Sequence, residues 1–378
     1  MSTKLAIPAR VPFVALQRQI DSVRRELEEA FTTTLSRTDF VAGAGVQEFE
    51  RRFASFCQTS SCVGVANGTD ALTLILTALG LSRGGEVITV PNTFIATIEA
   101  VHNAGLKPVF VDVDPTTRLM DPSKIEDAIR SNTVAILPVH LYGAIAEMDQ
   151  ILEIARRHGL PVVEDACQAH GAEFNKKRAG SFGIAAAFSF YPAKNLGCFG
   201  DGGAVTSNDS EFIERVRTIS CHGSRTKYIH ERSGFNSRLD TLQARILSAL
   251  LPKIDDWNQR RRKLAAAYER RLSECTSIRL PASRHSFSDV YHLFVIAVEN
   301  RDACKEFLSG RGVDTGIHYP YPVYTTPEFS VPNAAARFPI ADRLCRQILS
   351  LPMHPFMTTH EIDSVVEALQ AWNESGTR

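Results

Sequence analysis

Lys194 is the residue of this sequence whose surroundings point most directly to chemistry. It lies in Ser189-Phe190-Tyr191-Pro192-Ala193-Lys194-Asn195-Leu196-Gly197, which is followed by Gly200-Asp201-Gly202-Gly203. A lysine placed after a buried strand and before a glycine-rich turn can lose its hydration, which disfavours the ammonium and lowers its pKa. A neutral amine in such a place is the nucleophile that forms an imine with a carbonyl. The same residues also read as an ordinary loop lysine at the surface. The glycines do not form a dinucleotide fingerprint, because the G-x-G-x-x-G spacing after a strand is absent.

Three further groups have chemical potential. Asp165 stands at the end of an expected strand in Val163-Glu164-Asp165-Ala166-Cys167-Gln168-Ala169-His170. Open parallel sheets bind ligands beyond their strand C-termini. A carboxylate there can pair with a protonated pyridine nitrogen and make the ring an electron sink. It can equally be a helix N-cap, and His170 reads as packing. In Asn67-Gly68-Thr69-Asp70-Ala71-Leu72, Gly68 lets the backbone approach a ligand, and Thr69 offers an N–H and a hydroxyl at a helix N-terminus. That arrangement suits a phosphate, and it also suits a plain capped helix start. Phe94, in Pro91-Asn92-Thr93-Phe94-Ile95-Ala96-Thr97, could stack on a flat ring or fill the core. Phosphate grip, aromatic face, carboxylate and lysine form an ordered set, three of them at successive strand-to-helix junctions.

The elements that must position this set follow from periodicity. Apolar residues at helical spacing predict a helix over Leu16–Leu35 and a second carrying Phe49, Phe53 and Phe56. Short apolar or β-branched runs at Cys62–Ala66, Glu86–Val90, Pro108–Val111, Val134–Val139 and Pro161–Glu164 predict strands. Helices are expected between them at Thr69–Leu79, Phe94–Ala104, Pro122–Arg130 and Met148–His158. This alternation predicts an α/β fold with a mainly parallel sheet covered on both faces. Strands at Ala185–Phe190 and Ala204–Ser207 then flank the glycine-rich turn, and one long helix is expected from Leu239 to about Leu272. Beyond Pro281 a smaller α+β unit is expected, with a strand at Tyr291–Val298, a helix at Asp302–Gly310, a proline-rich loop at Tyr319–Pro332 and a final helix from Glu361. The length of 378 residues suits two domains, here 1–250 and 251–378.

Composition narrows the partners. Lys plus Arg and Asp plus Glu are each 42, so nothing draws the whole chain to nucleic acid or to an anionic membrane. The run Gln259-Arg260-Arg261-Arg262-Lys263 reads as a solvated helix face. Eight cysteines are scattered without a C-x-x-C pair, which argues against zinc and for reduced thiols. The start of the chain has Lys4 and Arg10 but no long apolar region, and no run approaches a membrane span. No metal and a cytoplasmic location are the expectations.

The sequence resembles the DegT/DnrJ/EryC1/StrS family of sugar aminotransferases, which are fold-type I enzymes dependent on pyridoxal 5′-phosphate (PLP). The motifs E-D-A-x-Q-A-H-G, S-F-Y-P-x-K-N-L-G and G-F-N-S-R-L-D carry the resemblance, which runs from Val11-Pro12-Phe13 to Leu351-Pro352-Met353-His354-Pro355. It implies an aspartate-aminotransferase-like fold, with a large PLP-binding domain and a small C-terminal one. It implies that Lys194 forms the Schiff base, that Asp165 holds the pyridine nitrogen and that Gln168 lies near the phenolic oxygen. Gly68, Thr69 and Ser189 would bind the phosphate, and Phe94 would stack on the ring. Asn236, in Gly234-Phe235-Asn236-Ser237-Arg238-Leu239-Asp240, would reach the phosphate of a neighbouring subunit, making a homodimer with shared active sites.

The resemblance also bears on the substrate. Some relatives carry His in place of the lysine and are dehydratases, so Lys194 favours transamination. Relatives acting at the sugar C-4 often carry His where Gln168 stands, and those acting at C-3 more often carry Gln. The segment Cys221–His230 also resembles the C-3 group. A dTDP-linked 3-keto-6-deoxyhexose, with L-glutamate as amino donor, is therefore the expected substrate pair. A UDP sugar, a C-4 amination, a dehydration and a non-enzymatic regulator are the alternatives. His318, Tyr319 and Tyr321 would line the sugar pocket, or simply pack. Arg225, Tyr228 and His230 would reach the neighbour's nucleotide diphosphate. Cys198 and Gly202 depart from the residues common in the family's glycine turn.

Overall fold

A computed structural model of the chain describes residues 10–376, so the sequence expectation involving Lys4 falls outside it. The strand-forming runs assemble as a four-stranded sheet in the order Ser61–Val65, Gly203–Ser207, Ala185–Ser189, Val163–Asp165 and a three-stranded sheet in the order Lys107–Phe110, Glu86–Thr89, Thr133–Ile136. Parallel bridges between Ile136 and Val162 and between Val139 and Asp165 join the two into one surface. Only Gly203–Ser207 runs antiparallel to its neighbours in this surface. Alternating β and α units with right-handed crossovers favour this parallel arrangement.

Helices cover the sheet because their apolar faces match it. Leu72, Ile75 and Leu76 of the Gly68–Ala78 helix are fully buried, and the helix packs on the Ala185–Ser189 strand. On the other side, Phe49 and Phe53 of the Ala44–Phe56 helix meet Phe188 and Phe190 edge-on at 5.0–5.3 Å. A second core gathers Leu264, Tyr268, Phe294, Leu351, Leu369 and Trp372. Between the cores lies an antiparallel pair, Phe294–Ala297 with Ile348–Leu351. The strand alternation divides it: Phe294 and Ile296 enter the second core, whereas Val295 enters the first.

Several expected elements are corrected. The long helix is two, Thr241–Leu250 and Ile254–Leu272, joined by a 3₁₀ turn at Leu251–Lys253. Pro252 has no N–H and its ring crowds the preceding turn, which explains the break. The first helix is also two, Leu16–Asp21 and Arg24–Arg37, because Val23 leaves helical backbone geometry at φ −140°. Pro122–Arg130 shrinks to a 3₁₀ turn and the short helix Ile125–Ala128. Arg261 does not lie on a solvated face. It is buried, donates to the carbonyls of Tyr291 and Met353, and has its pKa pulled down to about 10 by burial. The Ile348–Leu351 strand gives little alternating signal, since Ser350 alone interrupts its apolar residues.

Candidate active site

Lys194 sits in the turn that leaves the Ala185–Ser189 strand, with its backbone N–H on the Tyr191 carbonyl at 2.8 Å. Its neighbour Asn195 anchors the turn. The buried Asn195 amide donates to Asn258 Oδ1 at 2.9 Å and to the Val290 carbonyl at 3.0 Å, and its oxygen meets His292 Nδ1 at 3.3 Å. The glycine turn beyond is packed as a unit. A Cβ on Gly202 would lie 2.8 Å from Cys198 Sγ, so the two departures from the family pattern occupy each other's space.

The Lys194 side chain is half-buried, and its amine has no hydrogen bond or ion pair within the described residues. Burial pulls its pKa down, against the opposing pull of Cys167 and Asp165. The nearby histidines are held neutral. Burial and the proximity of Lys194 lower His170 to about 3 and His318 to about 4, and take His292 well below its ordinary range. The His170 ring also packs on Phe188 and Phe190 at 5.3 and 5.8 Å, as the packing reading expects.

Asp165 ends its strand facing the same cleft. One carboxylate oxygen accepts from Thr97 Oγ1 at 2.8 Å and the other from the Cys167 N–H at 3.2 Å. Thr97 in turn meets Thr93 Oγ1 at 2.7 Å. Because Thr97 donates to the carboxylate, Thr93 donates to Thr97, and this relay fixes the carboxylate's orientation. The preceding residue, Glu164, points to the opposite face of the strand. There it accepts from the N–H groups of Gly180, Phe182 and Gly183 and meets His140 Nε2.

The Gly68–Ala78 helix begins at the cleft, where Asn67 caps the Asp70 N–H at 2.8 Å. First-turn N–H groups lack intrahelical partners, which leaves those of Gly68 and Thr69 for a ligand. Gly68 is required by crowding: a Cβ there would lie 2.7 Å from Ser189 Cβ and 2.9 Å from Cys167 Sγ. Phe94 exposes half of its surface to the cleft and stands 5.3 Å from the Tyr319 ring. Gln168 accepts from the Tyr142 N–H at 2.8 Å and donates to the Tyr319 hydroxyl at 3.3 Å. These groups line one cavity of about 430 Å³.

The structure thus brings together Lys194, Asp165, Gly68, Thr69, Phe94, Gln168, Ser189, His318 and Tyr319. It does not bring Asn236, Arg225, Tyr228, His230 or Tyr321 to that cavity. Asn236 accepts from Arg238, and Arg225 lies 3.7 Å from Glu231. Tyr228 is 82% exposed, and His230 meets the His222 carbonyl. Asp201, His292, Cys167, Thr93 and Thr97 also line the cavity and were missed. Asp201 stood in the quoted glycine turn, and the Thr93/Thr97 spacing of one helical turn was a usable signal. His292 had none, because packing across the chain places it.

A phosphorylated pyridine aldehyde fits this arrangement. An uncommitted helix N-terminus suits its phosphate, and an exposed aromatic face suits its ring. A buried, oriented carboxylate suits a ring N–H, and an amine left unbonded by the described residues suits its carbonyl. Over residues 21–370 the sequence matches the DegT/DnrJ/EryC1/StrS aminotransferase family. The chain belongs to this family.

It is a PLP-dependent sugar aminotransferase with the fold-type I architecture. It is 43% identical to dTDP-3-amino-3,4,6-trideoxy-alpha-D-glucose transaminase of Streptomyces venezuelae over 376 residues, 99% of each chain. The crystal structure of S. venezuelae DesV in complex with a ketimine intermediate superimposes with a TM-score of 0.95 at 44% identity, covering 97% of this chain and 99% of that one. NtdA from Bacillus subtilis, solved with bound cofactor PMP, superimposes with a TM-score of 0.91 at 33% identity, covering 98% and 87%. No helix of the described residues is long and apolar enough to cross a membrane.

Proposed function

We propose that this enzyme transfers the amino group of L-glutamate to the keto carbon of a dTDP-linked 3-keto-6-deoxyhexose. The observation that carries the reading is the Lys194 amine, without a hydrogen-bond partner among the described residues, in one cleft with the oriented Asp165 carboxylate and the open helix start at Gly68. The product named for the S. venezuelae relative, a 3-amino sugar on dTDP, and the glutamine at 168 support attack at C-3.

When bound, PLP supplies a carbonyl that captures amines and a ring that delocalises carbanion charge. Gly68 and Thr69 N–H groups and the Ser189 hydroxyl hold the phosphate. Phe94 covers one face of the ring, and Gln168 donates toward the phenolic oxygen. Asp165, oriented by Thr97, holds the proton on the pyridine nitrogen. The Lys194 amine, freed from the cofactor, would take a proton from the donor's α-carbon and deliver one to C4′, and would reverse these transfers at the sugar carbon. His318 and Tyr319 face the sugar.

The reading extends to assembly. Asn236, Arg225, Tyr228 and His230 serve the partner protomer's site in a homodimer, which accounts for their exposure in a single chain. Tyr321, 72% exposed, belongs to the same loop as His318 and Tyr319 and serves the sugar pocket with them. The chain divides near residue 250, where the linker between its two helices falls, and works in the cytoplasm.

The test is spectroscopic. Adding glutamate to the purified PLP-loaded enzyme should convert the lysine-bound absorbance to the pyridoxamine spectrum, and the dTDP 3-keto sugar should restore it. No change with glutamate rejects transamination. Restoration by a UDP or 4-keto sugar alone rejects the assigned substrate.

A further inference from the structure

Tyr142 lies outside the three family motifs, yet it touches three segments that line the active-site cavity. It occupies the turn Leu141–Gly143, just beyond Val139, which is bridged to Asp165. Its backbone is left-handed, with φ +63°, and Gly143 follows at φ +94°. This conformation is costly for a residue with a side chain, so packing must hold it. The packing is visible: a Cβ on Gly143 would lie 2.8 Å from the His292 nitrogen and 3.0 Å from that of Tyr291. The Gly143 carbonyl accepts from the Val290 N–H at 2.9 Å, and the Tyr142 carbonyl accepts from that of Leu293 at 3.3 Å.

The two remaining polar groups of Tyr142 reach the cavity wall directly. Its N–H donates to the Gln168 side chain at 2.8 Å, and its hydroxyl donates to the His318 carbonyl at 2.5 Å. The first bond decides which way the Gln168 amide faces. A backbone N–H can only donate, so it must meet Oε1, and the NH₂ end is left toward Tyr319 and the cavity. The second bond pins the segment that carries His318 and Tyr319. Burial raises the Tyr142 phenol above its ordinary pKa, so it keeps its proton and remains a donor.

We infer that Tyr142 is a positioning residue that sets the polarity of Gln168 and holds the sugar-side segment His318–Tyr319 in register with it. The inference rests on the proposed nucleotide-sugar reading of this cleft. It differs from a general stabilising role because its two arms act on different ligands. The N–H arm is independent of the side chain, and it serves the cofactor side. The hydroxyl arm ends on the segment facing the sugar.

Tyr142→Phe removes only the hydroxyl arm and keeps the ring and the N–H. With PLP-loaded enzyme, rapid-mixing absorbance follows the glutamate and sugar half-reactions separately. The expected result is a rise of about 5–10-fold in the sugar-nucleotide KM, the size of one lost neutral hydrogen bond. The glutamate half-reaction and the PLP affinity should stay within about twofold of wild type. Tyr142→Leu, which also removes the ring, should widen the split while the N–H arm persists. If both half-reactions fall together, or neither changes, the inference is overturned. If wild-type enzyme itself fails with glutamate or sugar, the functional reading fails instead.

Discussion

The segment 163–196 and the segment 221–238 both carry residues that sequence reasoning assigns to one active site, yet the fold treats them differently. In the first, Asp165, Gln168, Ser189 and Lys194 leave adjacent parallel strands and converge on one cavity. Their strands are buried, so the side chains at the strand ends have little freedom of position. The second segment holds a small hairpin, Ser224–Thr226 with Ile229–His230, whose residues are largely exposed. The His222–Phe235, Glu231–Gly223 and Phe235–Ile219 backbone bonds define its path, but no core lies beneath its tip. A site residue on a strand end is placed by its own chain's core. One on an exposed hairpin is placed by whatever covers it, and in the proposed dimer that is the partner's cavity.

Substitutions can break this contrast. The largest effect is expected from Lys194→Ala, which should abolish the lysine-bound absorbance and lower turnover by more than about 10³-fold, since the proton carrier at the reacting carbon is gone. Surviving activity would remove Lys194 from the mechanism. Next is Gly68→Ala, whose methyl would press on Ser189 and Cys167. Overpacking of this kind costs about 1–3 kcal/mol. A calorimetric scan should show a lower Tm, and PLP titration a weaker Kd, because the phosphate cradle must shift. The smallest effect is expected from Asn236→Ala, which should leave the Tm of the protein unchanged and weaken PLP binding by about tenfold through one lost charge-assisted bond.

That last substitution also sharpens the comparison through mixing. A protomer with Lys194→Ala still offers Asn236, and a protomer with Asn236→Ala still offers Lys194. Hybrids of the two should regain one intact site, so PLP affinity and activity should exceed the average of the separate variants. If mixing yields only the average, Asn236 acts within its own chain or not at all, and the shared-site reading falls.

Which residues were legible in the sequence follows the same division. Gly68, Asp165 and Lys194 stood at predicted strand ends, and a strand end in a parallel sheet is already a position in space. The Phe49/Phe53 face was legible because a helical stripe facing a sheet has one place to go. The break at Pro252 is masked in the sequence, because the apolar spacing on either side stays in phase. Tyr142 and His292 offered no local signal. The Tyr142 turn depends on contacts with Val290, His292 and Leu293, about 150 residues away.

The α/β alternation, the strand-end placement of the reactive groups and, through three dense motifs, the family are all written in the order of residues. They are legible there because hydrophobic periodicity and strand-end chemistry are local properties of the chain. Tertiary packing set the rest: the Asp165 carboxylate is oriented through Thr97, the Gln168 amide turns its NH₂ end to the cavity, and the Lys194 amine has no hydrogen-bond or ion-pair partner among the described residues. Each of these depends on which distant donor arrives within hydrogen-bonding distance, and burial sets the protonation of the groups it surrounds. The 221–238 hairpin is decided by neither, since it is largely exposed in its own chain and the proposed dimer assigns its cover to the partner.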